Sequence, residues 1–226
     1  MPGGDALTAL VAESGALSTV LEQLGAEEFG RATNCPPWDL AELVVHVAMS
    51  VRVGDEPPIA APGGALSTAA DYYRRPERNT SPYRQGNVDR TQQVAAAVLA
   101  TTPAAQWFSQ TCATAISVLR RRDLGQIVPI GGVGAMTLAD WVTTRVMSLA
   151  AHGLDVAITL GRPPWTTRSA LIEIAPVLTD LLGMPPPAEL GWDDLALLAV
   201  GTGRRPLTED ERSILGPAQH RFPLLS

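Results

Sequence analysis

Two imidazoles stand out as the residues whose settings could carry chemistry. The chain has three histidines. His220 falls in a polar tail, where a solvated side chain is expected, but His46 and His152 each lie inside a segment with helical apolar spacing. Glu42 stands four residues before His46, and Asp155 stands three residues after His152. Both spacings put a carboxylate and an imidazole on one helix face. A carboxylate beside an imidazole fixes its tautomer and aims the remaining nitrogen, which suits acid–base chemistry or metal ligation. An ordinary hydrogen bond on a helix surface gives the same spacing, so the two readings stay open on spacing alone. Cys35 and Cys112 form no CxxC pattern, so neither a zinc–thiolate cluster nor a disulfide framework is expected, and Cys35 reads as a small buried apolar side chain. The run Arg120-Arg121-Arg122 reads as a solvated helix end rather than a phosphate site.

The elements that must position these residues are mostly helical. The chain has 226 residues, 46% of them hydrophobic, enough for one sizeable core. Its 17 basic residues are all arginine and its net charge is −6, which argues against a nucleic-acid surface. No apolar run reaches the roughly 18 residues of a membrane span, and the opening MPGGDALTAL is not patterned as a signal peptide. A cytoplasmic protein is expected, with no membrane partner. Residues 5–24 carry leucines and valines at helical spacing. Residues 34–53 read as a second helix that opens on the Pro36–Pro37 pair, since proline suits a first turn. Residues 54–86 read as a long irregular stretch with a short helix near Ala69–Arg75, of a length that suits a lid. Residues 88–101 read as a helix, Gln106–Arg121 stays ambiguous between helix and strand, and residues 126–137 read as an extended piece and a loop. Thr137 is expected to cap a long helix that closes at Gly161. Shorter helices are expected over 168–183 and 191–203, with a capping box at Thr208 and Glu211.

Two stretches are recognisable together. Cys35-Pro36-Pro37-Trp38-Asp39-Leu40-Ala41-Glu42-Leu43-Val44-Val45-His46 resembles a signature of mycothiol-dependent maleylpyruvate isomerases: proline and tryptophan, an acid four positions on, histidine four further. Arg145 through His152 to Asp155 is similar to that family's second signature, which runs arginine, glutamate, histidine and aspartate along one helix. The segments around Trp192-Asp193-Asp194 and Thr202–Thr208 resemble the tails of actinobacterial members.

The resemblance implies a mainly α fold: a DinB-like four-helix bundle over residues 1–164, with a small C-terminal helical subdomain over 165–226. It implies a divalent metal, usually zinc, held between helices by the positions of His46, Ser148 and His152. This chain departs from the pattern at Ser148, where the family has a glutamate ligand. A serine hydroxyl is a weak neutral ligand for zinc, so the site is weakened unless Glu42, Asp155 or a water on Ser148 compensates, or the metal is lost. Mycothiol is the implied thiol cosubstrate, activated for isomerisation or S-transfer on a small-molecule substrate. His46, His152 and Arg145 are the implied catalytic residues. Trp38, Ser148, Arg204 and Arg205 are the implied substrate contacts, the arginines because a guanidinium grips a carboxylate with two hydrogen bonds. Two other readings remain. One is a metal-free descendant doing acid–base chemistry in the same pocket, such as a cyclisation in secondary metabolism. The other is a non-catalytic small-molecule-binding module.

Overall fold

The computed structural model describes residues 5–53, 58–60 and 63–225. Its helices are, in chain order, α1 (Ala6–Leu21), α2 (Ala26–Phe29), α3 (Leu40–Ser50), α4 (Ala69–Arg74), α5 (Ser81–Leu99), α6 (Ala104–Leu119), α7 (Leu138–Leu160), α8 (Arg168–Leu182), α9 (Asp194–Gly201) and α10 (Glu209–Leu215). A two-stranded antiparallel hairpin, β1 (Ile127–Ile130) and β2 (Gly134–Thr137), pairs Ile127 with Thr137 and runs directly into α7. Helix α1 packs against α6 and α7, and α3 packs against the same two, so α1, α6, α3 and α7 close a four-helix ring. The fold is mainly helical, as the sequence pattern requires, and no described helix is long and apolar enough to cross a membrane.

Local chemistry sets the helix ends. Asp5 accepts from the Leu7 and Thr8 N–H groups and starts α1. Thr137 does the same for α7 through Asp140 N, and Gly161 ends that helix in the left-handed region at φ 63°. The second helix differs from expectation in its start. Pro36 and Pro37 lie in the preceding loop, and α3 begins at Leu40, because Asp39 and Glu42 form a reciprocal capping box there. The expected irregular stretch is also shorter than the sequence suggests. Positions 54–57 and 61–62 of it lie outside the described residues, but α4 and α5 occupy much of the rest, and α5 begins at Ser81, capped by Thr80 with a proline in its first turn. The ambiguous segment after Pro103 is the helix α6, which buries Phe108, Cys112, Ala115 and Leu119 on one face.

The C-terminal helices share the bundle's core. Helix α8 packs on α1, α7 and α4, and contributes Ala170, Ile174, Val177 and Leu178 to the same apolar cluster as Leu10, Leu17, Val146 and Leu149. A buried carboxylate ties the junction: Glu13 on α1 accepts from Thr167 N–H and Thr167 O–H, both at 2.8 Å, at the cap of α8. Helix α9 approaches α8 closely enough that a β-carbon at Gly201 would meet Leu178 at 3.2 Å and Leu224 at 3.3 Å. The chain after α9 then turns back, so that Arg204 and Leu225 reach the wall of the bundle's main cavity.

Candidate active site

Helix α3 brings His46 and helix α7 brings His152 to one place. Their ring centroids are 5.2 Å apart and their planes meet at 88°. Trp38, in the loop before α3, is buried and stacks on the other face of His46 at 4.4 Å. The His46 Nδ1 pairs with Thr91 Oγ1 of α5 at 3.2 Å. Burial first, then the neighbouring His152, Arg145 and Arg78, push the His46 imidazolium down to about 3, so this ring is neutral at ordinary pH. His152 Nδ1 lies 2.8 Å from Asp155 Oδ2. A carboxylate only accepts, so the imidazole donates there from Nδ1, and in the neutral form of the ring the lone pair sits on Nε2.

Asp155 is fully buried and sits at the centre of a polar cluster. Its Oδ1 accepts from Asn34 Nδ2 at 2.7 Å and from Arg204 Nε at 2.9 Å. Its Oδ2 accepts from His152 and from Arg204 Nη2, the latter at 2.6 Å. Burial alone would raise this carboxyl, but the hydrogen bonds from His152 and Arg204 hold it well below the ordinary carboxylate range. Cys35 touches the same cluster; burial, reinforced by the Asp155 charge, pushes its thiol up to about 12. It is a half-buried protonated thiol packed against the core, not an exposed nucleophile.

The remaining expected residues divide. Arg145 is buried and lines the cavity; its Nη1 donates to the Ser50 carbonyl at 3.0 Å, while Nε and Nη2 donate to Thr144 Oγ1 at 2.9 and 2.8 Å. Ser148 also lines the cavity, and its hydroxyl donates to Ser50 Oγ at 3.1 Å. Trp38 supports His46 from beneath rather than lining the cavity. Glu42 does not orient His46: its carboxylate accepts from Asp39 N–H in the cap of α3. Arg205 lies away from the cavity, paired with Glu211 at 2.8 Å, which also takes the Trp192 Nε1–H at 2.6 Å.

The cavity these residues share has a volume of about 650 Å³. Six arginines line it: Arg52, Arg78, Arg90, Arg122, Arg145 and Arg204. Tyr72, Tyr73 and Tyr83 stand among them, and no carboxylate lines the cavity among the described residues. Of this cationic wall the sequence indicates only Arg145 and Arg204. Arg120 and Arg121 are exposed at the end of α6 as expected, but Arg122 turns into the cavity. The others come singly from separate segments, and no spacing in the chain links them.

A divalent metal held as the resemblance implies needs a third protein ligand beside the two imidazoles. Ser148 offers a neutral hydroxyl already bonded to Ser50. Asp155 already accepts a hydrogen bond at each of its four acceptor positions, Glu42 closes a helix end, and no carboxylate faces the imidazoles across the cavity among the described residues. Cys35, His152 and Asp155 do bring potential ligand atoms within 4.8 Å of one another. The cation that Asp155 holds there is the guanidinium of Arg204. The side chains present therefore do not fit a three-ligand divalent site.

A family model described as the mycothiol maleylpyruvate isomerase N-terminal domain matches residues 10–157, which takes in both histidine signatures. Among solved structures, the crystal structure of the mycothiol-dependent maleylpyruvate isomerase aligns over 79% of this chain and 70% of its own, with 13% identity and a TM-score of 0.49. A histidine-to-alanine mutant of that protein aligns over the same shares, with 14% identity and the same TM-score. No curated protein matches the chain. With more than half of its length matched by that one family model, the chain belongs to the mycothiol maleylpyruvate isomerase family.

Proposed function

We propose that this chain is an enzyme acting on an anionic small molecule, an isomerase or S-transferase that uses mycothiol as its thiol, with His152 as the acid–base group. The observation that carries this reading is the His152–Asp155 pair at 2.8 Å, facing the neutral His46 beside a cavity whose wall is rich in arginine. Asp155 holds the Nδ1–H tautomer, so the His152 Nε2 is placed to take the proton of a thiol S–H. The sulfur then forms a bond to the β-carbon of a conjugated cis carboxylate. The π pair moves onto the carbonyl oxygen, and the resulting enolate lies against guanidinium groups such as Arg145. The former double bond is now single and rotates. Collapse of the enolate breaks the S–C bond, gives the trans product, and returns the proton from His152 to the departing sulfur. In S-transfer the enolate carbon takes that proton instead and the thioether is kept.

The test is turnover of a conjugated cis dicarboxylate in the presence of mycothiol, read by chromatography as appearance of the trans isomer or of the thioether. His152→Ala is expected to lower the rate by about 10²–10⁴-fold, the usual worth of a positioned acid–base group. Asp155→Asn should also lower it, by removing the carboxylate that orients the ring. The same filled acceptor set on Asp155 favours a second reading, acid–base chemistry without a thiol, because no complete ligand set is left to present a thiolate on a metal and only the guanidiniums remain to lower a thiol's pKa. Turnover that is independent of mycothiol but lost in His152→Ala would select that reading. Turnover unaffected by His152→Ala would end both.

A further inference from the structure

The cavity holds more positive charge than a dicarboxylate can neutralise. Asp155 neutralises Arg204 through two hydrogen bonds of 2.6 and 2.9 Å. Arg145 donates to the Ser50 carbonyl and the Thr144 hydroxyl, also meets the Tyr72 phenol, and pairs with no carboxylate among the described residues. Arg78 lies over three phenol rings, 5.2 Å from the centroid of Tyr72, 5.1 Å from Tyr73 and 5.8 Å from Tyr83, and pairs with no carboxylate among the described residues. Arg52 and Arg90 are exposed at the rim, again with no ion pair among the described residues.

This concentration of cations stands in a chain of net charge −6, so it is local to the cavity. Like charges around a partly enclosed space repel one another, and that cost is relieved only when an anion enters. A neighbouring phenol registers the same potential: burial alone would raise Tyr72, yet Arg145, Arg78 and Arg75 bring it down to about 8. A guanidinium presents a planar fork that matches carboxylate and phosphoryl oxygens equally well. Two forks satisfy a dicarboxylate, and in this cavity the guanidiniums remaining beside Arg204 outnumber two.

We infer that the cavity takes a ligand bearing at least three negative charges, with Arg78 and Arg145 gripping one anionic group deep in the cavity and Arg52 and Arg90 holding another at its mouth. The inference rests on the cavity being the substrate site proposed above, and it narrows that substrate to polyanions. Phosphoryl groups and clustered carboxylates share the required chemistry. The two rim arginines also steer such a ligand inward, an effect that falls with ionic strength.

Calorimetric titration of the full chain with inorganic pyrophosphate, tricarballylate and succinate tests this. Pyrophosphate or tricarballylate should bind at least about tenfold more tightly than succinate at low salt, the tighter of the two naming the anion source. Arg78→Gln and Arg90→Gln should each erase most of that preference, weakening pyrophosphate and tricarballylate by at least about tenfold and succinate by less. Arg120→Gln, at an exposed position outside the cavity, should leave all three ligands unchanged. Thermal unfolding of each variant separates lost binding from lost folding. Should Arg78→Gln not fold, Arg90→Gln at the exposed rim decides alone. Succinate binding as tightly as both trianions would overturn the inference and leave the proposed reaction standing. Binding of no anion would overturn both.

Discussion

Ser148 occupies the position where the family's second signature carries a carboxylate, and its hydroxyl is already committed to Ser50 at 3.1 Å. A glutamate there would reach into the same cavity beside His46 and His152 and complete a two-imidazole, one-carboxylate set. Ser148→Glu should therefore raise zinc affinity by more than about tenfold, read by metal analysis after purification without chelator and by competition with a fluorescent zinc indicator. An unchanged affinity would mean that α7 does not aim residue 148 between the rings. Tyr72 gives a second residue-scale prediction. Its ordinary value is 10.0, and the three guanidiniums around it bring it to about 8 in the folded chain. Between those values the folded state binds fewer protons than the unfolded one, so this phenol adds stability as pH rises through that window. A tyrosinate absorbance step near pH 8 that disappears in Tyr72→Phe would bear this out; a step surviving the substitution would assign it elsewhere. The two histidines and Asp155 were legible because a helix repeats its faces every three or four residues. Arg52, Arg78, Arg90 and Arg122 were not, because their meeting is a property of the folded bundle and each one alone reads as a solvated surface residue.

At the scale of elements, the helix ends were the most readable feature. Thr137 and Thr208 cap the helices their chemistry suggests, and Asp5 and Thr167, which the sequence pattern did not single out, do the same for α1 and α8, since a side-chain oxygen satisfies N–H groups that the first turn leaves unpaired. The start of α5 was hidden for a physical reason: the helix buries only Thr91 and Ala95, so it carries no apolar stripe, and Thr80-Ser81-Pro82 reads as loop chemistry when it is a cap with a first-turn proline. The proline pair before α3 misled in the opposite direction, because the Asp39–Glu42 capping box sets that boundary. Two helices carry removable weaknesses. Gly15 in α1 and Gly86 in α5 are interior helical glycines, and a β-carbon at either would meet nothing within 4 Å. Gly15→Ala and Gly86→Ala should each add about 0.5–1 kcal/mol through the smaller backbone entropy of the unfolded chain. That corresponds to roughly 2–4 °C in Tm per kcal/mol for a chain of this size. Scanning calorimetry on the two variants checks it, and a fall in Tm would show that the backbone at those positions is not relaxed helix.

At the scale of the whole molecule, the site is closed by a residue from the far end of the chain. Arg204 follows α9, yet its guanidinium fills the acceptor positions of Asp155 on α7, next to His152. The C-terminal helices therefore do more than cover an apolar face: they supply the cation that keeps a fully buried carboxylate ionised. Removing only that cation leaves Asp155 buried with Asn34 and His152 as its remaining donors. Breaking one side of a buried ion pair costs about 3–5 kcal/mol, whereas replacing both partners by neutral groups of similar shape can cost little. Arg204→Met should accordingly lower stability by about 3 kcal/mol in denaturant titration. Asp155→Asn combined with Arg204→Met should recover a large part of that loss, giving a coupling energy well above 1 kcal/mol in the double-mutant cycle. The same cycle read through activity should show no such recovery, because the neutral amide introduced by Asp155→Asn cannot hold the Nδ1–H of His152 as a carboxylate does. Additive stabilities would mean that the C-terminal segment packs on the bundle without engaging Asp155, and the dyad proposed to move the proton would then lose its anchor.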